Sequence, residues 1–428
     1  MRLARSEDLK GELLSQIVNR GRLGLESVEK DVTLVIESVR VRGDKALFEF
    51  TQKFDRVELD PSTVRATQED IKAAYSLVQK AEVKALRKAA SNIERFHEMQ
   101  LKRLSFEEFI DEIEVGVITR PISAVGIYAP GGRTSYPSSV LMCAIPAKVA
   151  GVEQLILCSP PSQRGRFNPY VLVASDIAEV DEVFCVGGAQ AIAAMAYGTE
   201  TIKPVDKIVG PGNIYVTAAK QLLSRHVSID LPAGPTEILV IADARAEPQF
   251  IAADLLAQAE HDENAFCVML TDSERIAVKV KESIDKTLEN TSTTEPAKIA
   301  LEKRGLIIVV KDLQEAVALA NLVAPEHLVI MTKKPQSLLR EVRNAGLVFL
   351  GEYSPVALGD YCAGTNHVLP TGGYAKTYSG LSVRDFLKTI SYVNCSKKGL
   401  MRLAGATTAI AKIENLHAHS RSITVRDT

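Results

Sequence analysis

The chain has 428 residues, with 51 basic and 53 acidic side chains. Its length exceeds that of one compact core and predicts two or three structural units. The near balance of charge excludes a global field that would direct the protein to nucleic acid or to an anionic membrane. We therefore expect a small-molecule substrate and no nucleic-acid or membrane partner.

Six cysteines are scattered along the chain, without a C-x-x-C pair or the regular spacing of a disulfide framework. This usage is typical of the reducing cytoplasm. The N-terminal segment becomes charged before an apolar core long enough for a signal peptide, and no stretch approaches the length of a membrane span. A cytoplasmic location is expected.

Residues 1–114 are predicted to be helical and to pack in part against the second of the two α/β halves described next. One helix ends at Gly43, and its apolar residues recur at helical spacing, namely Val32, Val35, Ile36 and Val39. The stretch from Glu69 to about Gln100 is long, charged and rich in good helix formers, so it predicts a further packing element.

Residues 115–236 are predicted to form a first α/β half, because short β-branched runs alternate with helical runs from Ile118 onward. Each run is followed by Gly, Pro or Ser and then by a helical stretch, which is typical of a parallel sheet with helices on both faces. The predicted strands are Ala124–Tyr128, Gln154–Cys158, Glu182–Val186 and Lys207–Val209.

Residues 237–380 repeat the alternation and are predicted to form a second α/β half. Strands are expected at Ile238–Ala242, Phe266–Leu270, Leu306–Val310, Leu328–Met331 and Leu347–Leu350, with helices over 249–260, 273–289, 313–324 and 335–343. After about Leu381 the pattern is helical and strand-poor. Residues 381–428 are therefore predicted to form a helical tail that docks on the body or on another subunit.

Three glycine-rich turns follow strands of the first half, at Tyr128–Arg133, Val186–Gln190 and Gly210–Asn213. Ligands bind at the carboxyl ends of parallel strands, where glycines let the backbone approach a phosphate and a following helix offers free N–H groups. For any one loop an ordinary turn is the alternative, and none is a G-x-G-x-x-G fingerprint. The three together favour a dinucleotide.

Two pairs of polar residues stand out in the second half. Gln258 and His261 project from one side of a helix that Pro248 opens, with a helix-capping histidine as the alternative. Glu326 and His327 lie between a helix and a buried strand, and they serve one cavity only if the chain turns there. The alternative is an exposed pair in a loop.

A long glycine-rich loop over 359–373 carries Asp360, Asn366 and His367, and such loops commonly carry function. The terminal helix carries Glu414 and His419, for which a solvated tail is the alternative. One combination supplies two nitrogen and two oxygen ligands with positions left open for a substrate: Gln258, His261, Asp360 and His419. That set suits zinc, and cobalt or manganese would also fit it.

The chain closely resembles the histidinol dehydrogenase family over most of its length. In the first 236 residues the matching stretches are 43–46 with 54–55, 128–132 with 136–139, 186–191, 209–213 and 230–235. In the second half they are 258–261, 325–327, 359–361 and 364–370.

The resemblance implies an α/β fold of two intertwined, incomplete Rossmann-like halves. It also implies a homodimer whose C-terminal tail reaches the partner's active site. The implied reaction oxidises L-histidinol through L-histidinal to L-histidine, with two NAD+ reduced in turn at one site and one water consumed. Zinc, one ion per subunit, would anchor the substrate's imidazole and amino nitrogens without redox cycling.

The resemblance also assigns residues by matching position. His327 corresponds to the base that takes the hydroxyl proton, and Glu326 to the carboxylate that activates water. The implied zinc ligands are Gln258, His261, Asp360 and His419. The implied substrate contacts are these four with His327, Thr236, His367 and Glu414. The implied NAD contacts are Tyr128, Gln190 and Asn213.

Three positions depart from the family pattern. Thr236 stands where serine is common and keeps the hydroxyl. Ala257 and Asp262 flank the zinc motif where serine and glycine are usual, and Asp262 adds a negative charge beside His261.

Three alternative functions are compatible with parts of the sequence. A relative on the same scaffold would oxidise another polyol or a sulfonated diol with NAD. An aldehyde dehydrogenase would use a cysteine nucleophile, for which Cys362 is the candidate, although an inert buried thiol is the ordinary reading. A zinc-stabilised interaction protein would need neither Glu326 nor His327.

Overall fold

The computed structural model describes residues 1–20, 25–131, 135–162, 167–290 and 295–426. Gly132 and Arg133 of the first predicted glycine-rich loop lie outside the described residues. Within the described residues, every helix is too short or too polar to cross a lipid bilayer.

The first half is built on a five-stranded parallel sheet in the order β6-β5-β4-β7-β8. Its strands are β4 (Ala124–Tyr128), β5 (Gln154–Cys158), β6 (Glu182–Phe184), β7 (Lys207–Val209) and β8 (Ser228–Ile229). The helices between them are α6 (Pro137–Ala150), α7 (Pro169–Ile177), α8 (Gly188–Tyr197) and α9 (Ile214–Leu223).

The second half repeats this topology in a six-stranded parallel sheet, in the order β1-β11-β10-β9-β12-β13. Its strands are β1 (Arg2–Arg5), β9 (Glu237–Ala242), β10 (Phe266–Thr271), β11 (Leu306–Val309), β12 (His327–Met331) and β13 (Leu347–Leu350). Its helices are α10 (Pro248–Ala259), α11 (Glu274–Asn290), α12 (Glu295–Arg304), α13 (Leu313–Val323), α14 (Pro335–Leu339) and α15 (Val356–Tyr361). The predicted pair of Rossmann-like halves is confirmed.

The N-terminal helices cover the sheets. They are α1 (Gly11–Val18), α2 (Leu25–Arg42), α3 (Asp44–Asp55), α4 (Gln68–Leu77) and α5 (Lys80–Leu101). The apolar stripe of α2 packs with α3, α8 and α9 on one face of the first sheet, whereas α4 to α7 share a core on the other. Each fully buried Val, Leu or Ile of these cores stabilises the fold by about 1.5–3 kcal/mol.

A third, antiparallel sheet was not predicted. It consists of β2 (Phe106–Ile110), β3 (Ile113–Pro121) and β14 (Leu387–Cys395), in the order β14-β3-β2. The prediction that residues 1–114 are helical was therefore wrong at β1 and β2. The prediction that the chain after Leu381 is helical and poor in strands was wrong at β14. The nine residues of β14 pair with β3, far away in sequence, and such long-range pairing overrides local propensity.

One smaller difference concerns a helix. The stretch from Glu69 to Gln100 forms two helices, because Val78 is extended and Gln79 caps α5 in a capping box with Glu82. Beyond β14 the tail is helical as predicted, with α16 (Lys397–Ile413) and α17 (His417–Thr424).

Candidate active site

A cleft of about 440 Å³ lies between the two halves. Gly212 and Asn213, which follow β7, line it from the carboxyl edge of the first sheet. Glu237 and Phe266, the first residues of β9 and β10, line it from the amino edge of the second sheet. The fold therefore brings the third glycine-rich loop of the first half close to Glu237 of the second half.

The first two of the three glycine-rich loops meet at Tyr128. Its buried hydroxyl accepts a hydrogen bond from the backbone N–H of Gly188 at 3.1 Å, which ties the end of β4 to the start of α8. Gln190, in the first turn of α8, is 1% exposed, and none of the described residues donates to its Oε1. A buried amide oxygen without a donor is the kind of group that a bound polar ligand satisfies.

The third loop approaches the same edge of the sheet. Gly210 has φ +114°, and a Cβ there would collide with the carbonyl oxygen of Tyr128, so this close approach requires glycine. The Oδ1 of Asn213 caps α9 by accepting from the N–H groups of Tyr215 and Val216, both at 3.1 Å. A contact of Asn213 with a cofactor would therefore come from its amide nitrogen.

Glu326 and His327 are both buried at the amino end of β12. Their side chains reach one site, because the His327 Nδ1 lies 3.4 Å from Glu326 Oε2, and the alternative of an exposed pair in a loop was wrong. His327 Nδ1 also lies 3.0 Å from the carbonyl oxygen of Glu237, which can only accept. This bond places a hydrogen on Nδ1, so Nε2 is the nitrogen that faces away from Glu237.

A chain of hydrogen bonds holds the carboxylate of Glu326. Its Oε2 accepts from the Thr236 hydroxyl at 2.6 Å and from the backbone N–H of Glu237 at 2.7 Å. Thr236 in turn accepts from Nε2 of the buried Gln258. Because this bond uses the amide nitrogen, the Oε1 of Gln258 is the atom left to bind a cation.

Asp360 reaches the other side of His327. It lies in the last turn of α15, so the prediction of an irregular loop from Gly359 onward was wrong for its first three residues. Its Oδ1 lies 3.2 Å from His327 Nε2, and its side chain is 15% exposed. The backbone carbonyl of Asp360 accepts from Nδ1 of His367 at 2.8 Å. His367 Nε2 then pairs with the hydroxyl of Ser139 on α6 at 3.2 Å, so a residue of the first half helps to hold the loop that follows α15.

These contacts and the burial of the site shift the pKa values of three of its residues. Burial acts to lower the pKa of His327, but the carboxylates of Glu326 and Asp360 more than offset it and raise that pKa well above its ordinary value. Burial acts to raise the pKa of Asp360, yet its hydrogen bond with His327 holds the pKa below the usual range. Burial lowers the pKa of His367.

Three of the four predicted zinc ligands lie in this region, and the fourth does not. His261 is exposed, follows α10 and is close enough to Asp360 to lower its pKa. Glu414 and His419 are exposed on the tail, whose helix α16 is held to Glu112 by Lys398 and Arg402. Within the described ranges no group of three or more His, Cys, Asp or Glu side chains forms a metal site in the single chain.

The comparison with known proteins supports the resemblance. The profile described as histidinol dehydrogenase matches residues 18–427. The chain belongs to the histidinol dehydrogenase family. It is therefore an oxidoreductase.

Individual relatives of the histidinol dehydrogenase family match along nearly the whole chain. The histidinol dehydrogenase of Methanothermobacter thermautotrophicus is 49% identical over 409 residues, which are 96% of each chain. That of Clostridium acetobutylicum is 48% identical over 428 residues, covering 100% of this chain and 99% of its own. The crystal structure of histidinol dehydrogenase from Elizabethkingia anophelis superposes with a TM-score of 0.93 at 38% identity, covering 99% of this chain and 97% of that one.

Three residues of the site were not predicted: Arg20, Ser139 and Glu237. Ser139 belongs to a stretch that matches the histidinol dehydrogenase family, but its partner His367 is distant in sequence. Glu237 could have been recognised from the sequence, because it is a carboxylate at the start of an otherwise apolar strand. Nothing in the sequence around Arg20 indicates that it pairs with Glu237.

Proposed function

We propose that this protein oxidises L-histidinol through L-histidinal to L-histidine and reduces two NAD+ at one site. The observation that carries the proposal is the pairing of Glu326 and His327 beside Asp360 at the amino edge of the second sheet. Both contact Glu237, which lines the cleft together with Gly212 and Asn213 of the first half. Family membership over residues 18–427 supports the choice of substrate.

The residues for NAD+ are Tyr128, Gln190 and Asn213, which stand at the carboxyl edge of the first sheet. The buried, unsatisfied Oε1 of Gln190 and the close approach at Gly210 fit a polar ligand held against the backbone. NAD+ bound there supplies the hydride acceptor for both oxidations.

The residues for zinc are Gln258, His261, Asp360 and His419. The donor set suits a divalent ion, and the Gln258 amide is already turned so that its oxygen is available. Zinc held there supplies an anchor for the imidazole and amino nitrogens of histidinol. His367 and Glu414 would add contacts to the substrate.

His327 is the group suited to the first oxidation. The hydroxyl proton of the alcohol must leave as hydride leaves the carbinol carbon. His327 keeps its Nδ1 hydrogen on the Glu237 carbonyl, so Nε2 is the atom to take this proton. It would do so when Asp360, whose carboxylate lies 3.2 Å from Nε2 and raises the His327 pKa, binds the divalent ion instead.

Glu326 is the group suited to the second oxidation. Water must add to the aldehyde, and the hydrate then gives up the second hydride. Both hydrogen bonds to the Glu326 carboxylate end on Oε2, so Oε1 is the oxygen left to accept the proton of the water. The Thr236 hydroxyl preserves this arrangement, although serine is common at this position.

The assembly that we propose is a homodimer in which the tail of each chain completes the partner's site. Glu414 and His419 lie on a tail that is exposed in the single chain. That tail also exposes apolar side chains, with Ile410 57%, Ile413 80% and Leu416 41% exposed. Exposed apolar groups of this size mark a surface that docks on a partner. The free cysteines support a reducing, cytoplasmic location.

The test is a stoichiometry measurement on the purified protein with limiting histidinol and excess NAD+, before and after chelation and return of zinc. We expect two NADH and one histidine per histidinol, loss of turnover on chelation, and recovery with zinc. Oxidation of small diols in place of histidinol would favour another polyol as substrate. Full turnover by metal-free protein would refute the role of zinc.

A further inference from the structure

We propose that Arg20 and Glu237 form a positioning unit that sets the geometry of the Glu326–His327 pair. The inference rests on the proposed function, because it concerns the two groups assigned to proton transfer there. In the proposed reaction neither Arg20 nor Glu237 transfers a proton or a hydride.

The backbone of Glu237 contacts both groups at once. Its N–H donates to Glu326 Oε2 at 2.7 Å, and its carbonyl accepts from His327 Nδ1 at 3.0 Å. A shift of this one residue along β9 would therefore move the carboxylate and the imidazole together. Strand pairing fixes Glu237 only on the side of β10, where it pairs with Phe266, because the register of β9 with β12 begins one residue later, at Ile238.

The side chain of Glu237 is held from the opposite direction by Arg20. The guanidinium donates from Nε to Oε1 at 2.7 Å and from Nη2 to Oε2 at 2.5 Å, a two-bonded arrangement with restricted geometry. The two side chains are 4% and 3% exposed. Oε1 also accepts from the N–H of Gly372, which ties in the end of the glycine-rich loop.

Arg20 extends the same unit to the segment that leads into Glu326. Its Nη1 donates to the carbonyl of Val323 at 2.9 Å, and its Nη2 to that of Ala324 at 3.4 Å. Ala324 has φ +52° and ends α13, two residues before Glu326. The Glu237 carboxylate in addition accepts from the backbone N–H of Glu326 at 3.3 Å. One ion pair thus joins β9 to the segment between α13 and β12 that carries Glu326.

Stability alone does not account for charges at this place. A buried ion pair adds little relative to apolar side chains of the same volume, although removal of one partner is strongly destabilising. The contacts of the Arg20–Glu237 pair with Glu326 and His327 give a reason to keep these charges. A shift of a reacting group by about 1 Å lowers the rate by about a hundredfold.

The experiment compares the zinc-loaded wild type with the double variant Arg20→Met/Glu237→Gln, which removes both charges and leaves no buried charge unpaired. Ile284→Ala is the matched control, since Ile284 is fully buried on α11 in the same half and contacts neither group. Thermal unfolding is measured for all three, and kcat and KM are measured for histidinol and for histidinal.

We expect the double variant to lose about a hundredfold in kcat with both substrates while KM changes little. The control Ile284→Ala should keep the wild-type kcat even where its loss of Tm equals that of the double variant. A wild-type kcat in the double variant, or an equal loss of kcat in the control, would overturn the proposal.

A crystal structure of the double variant provides a test that does not depend on turnover. Displacement of His327 or Glu326 by more than about 0.5 Å supports the positioning role, and unchanged positions contradict it. Failure of the wild type to oxidise histidinol would count against the proposed function, while the displacement still decides the positioning role.

Discussion

Replacement of Thr236 by valine tests the hydrogen-bond chain that holds Glu326. The side chains have nearly the same shape, so the change removes the hydroxyl and little else. The Thr236 hydroxyl lies 2.6 Å from Glu326 Oε2, the length of a bond to an ionised carboxylate. Its loss also leaves Nε2 of the buried Gln258 without that acceptor.

The expected size of the effect follows from the strength of such bonds. A hydrogen bond to a charged group contributes about 1.5–3 kcal/mol, and about 1.4 kcal/mol corresponds to a tenfold change in rate. Thr236→Val should therefore slow the oxidation of histidinal by about tenfold to about a hundredfold. Oxidation of histidinol should change less, because His327 keeps its bond to Glu237.

The assay is single-turnover formation of NADH from histidinal and, separately, from histidinol. Thr236→Ser is the matched control, since it keeps the hydroxyl and restores the residue that is common at this position; its rates should stay close to those of the wild type. Equal rates for Thr236→Val and Thr236→Ser would refute the argument that this hydroxyl orients Glu326.

Three further predictions concern catalysis, pH and assembly. His327→Asn should slow the first hydride transfer and Glu326→Gln chiefly the second, as measured by single-turnover kinetics; equal losses in both steps would contradict this division of roles. Burial of Asp254 on α10 raises the pKa of its carboxyl from 3.8 to about 6. The protonated carboxyl therefore stabilises the fold relative to the ionised one, and this stabilisation is complete below about pH 4 and is lost as the pH rises through about 6. Asp254→Asn should accordingly match the wild type at low pH and be more stable by about 2–3 kcal/mol at pH 8 in urea unfolding, and a difference independent of pH would count against it. Dimers mixed from His419→Ala and His327→Asn chains should regain activity that neither variant has alone, whereas absence of recovery would place each tail in its own subunit's site.

The α/β halves were predictable because their information is local. Parallel strands buried on both faces read as short apolar runs, and the bounds of β4, β5, β7 and β13 agree with the prediction residue for residue. The loops after β4, β6 and β7 were also recognisable, since glycines and the topology of a parallel sheet place them at one edge.

The remainder depends on pairings between distant parts of the chain. The strand β14 forms only because β3 is there to pair with it, and β2 is too exposed to show a clear alternation. The same limit applies in the site. His327 and Asp360 meet at 3.2 Å, but no local pattern indicates which side of α15 faces β12. Arg20 and Glu237 lie 217 positions apart, and their pairing is visible only in the folded chain.

Anomalous diffraction at the zinc edge, from crystals of the zinc-loaded protein with histidinol, tests the central claim most directly. We predict one peak per subunit at about 2.0–2.2 Å from Gln258 Oε1, a His261 nitrogen and Asp360, with His419 supplied by the neighbouring chain. The substrate carbinol carbon should lie next to His327. A peak away from Asp360, or those four side chains on separate surfaces of the assembly, would contradict the account.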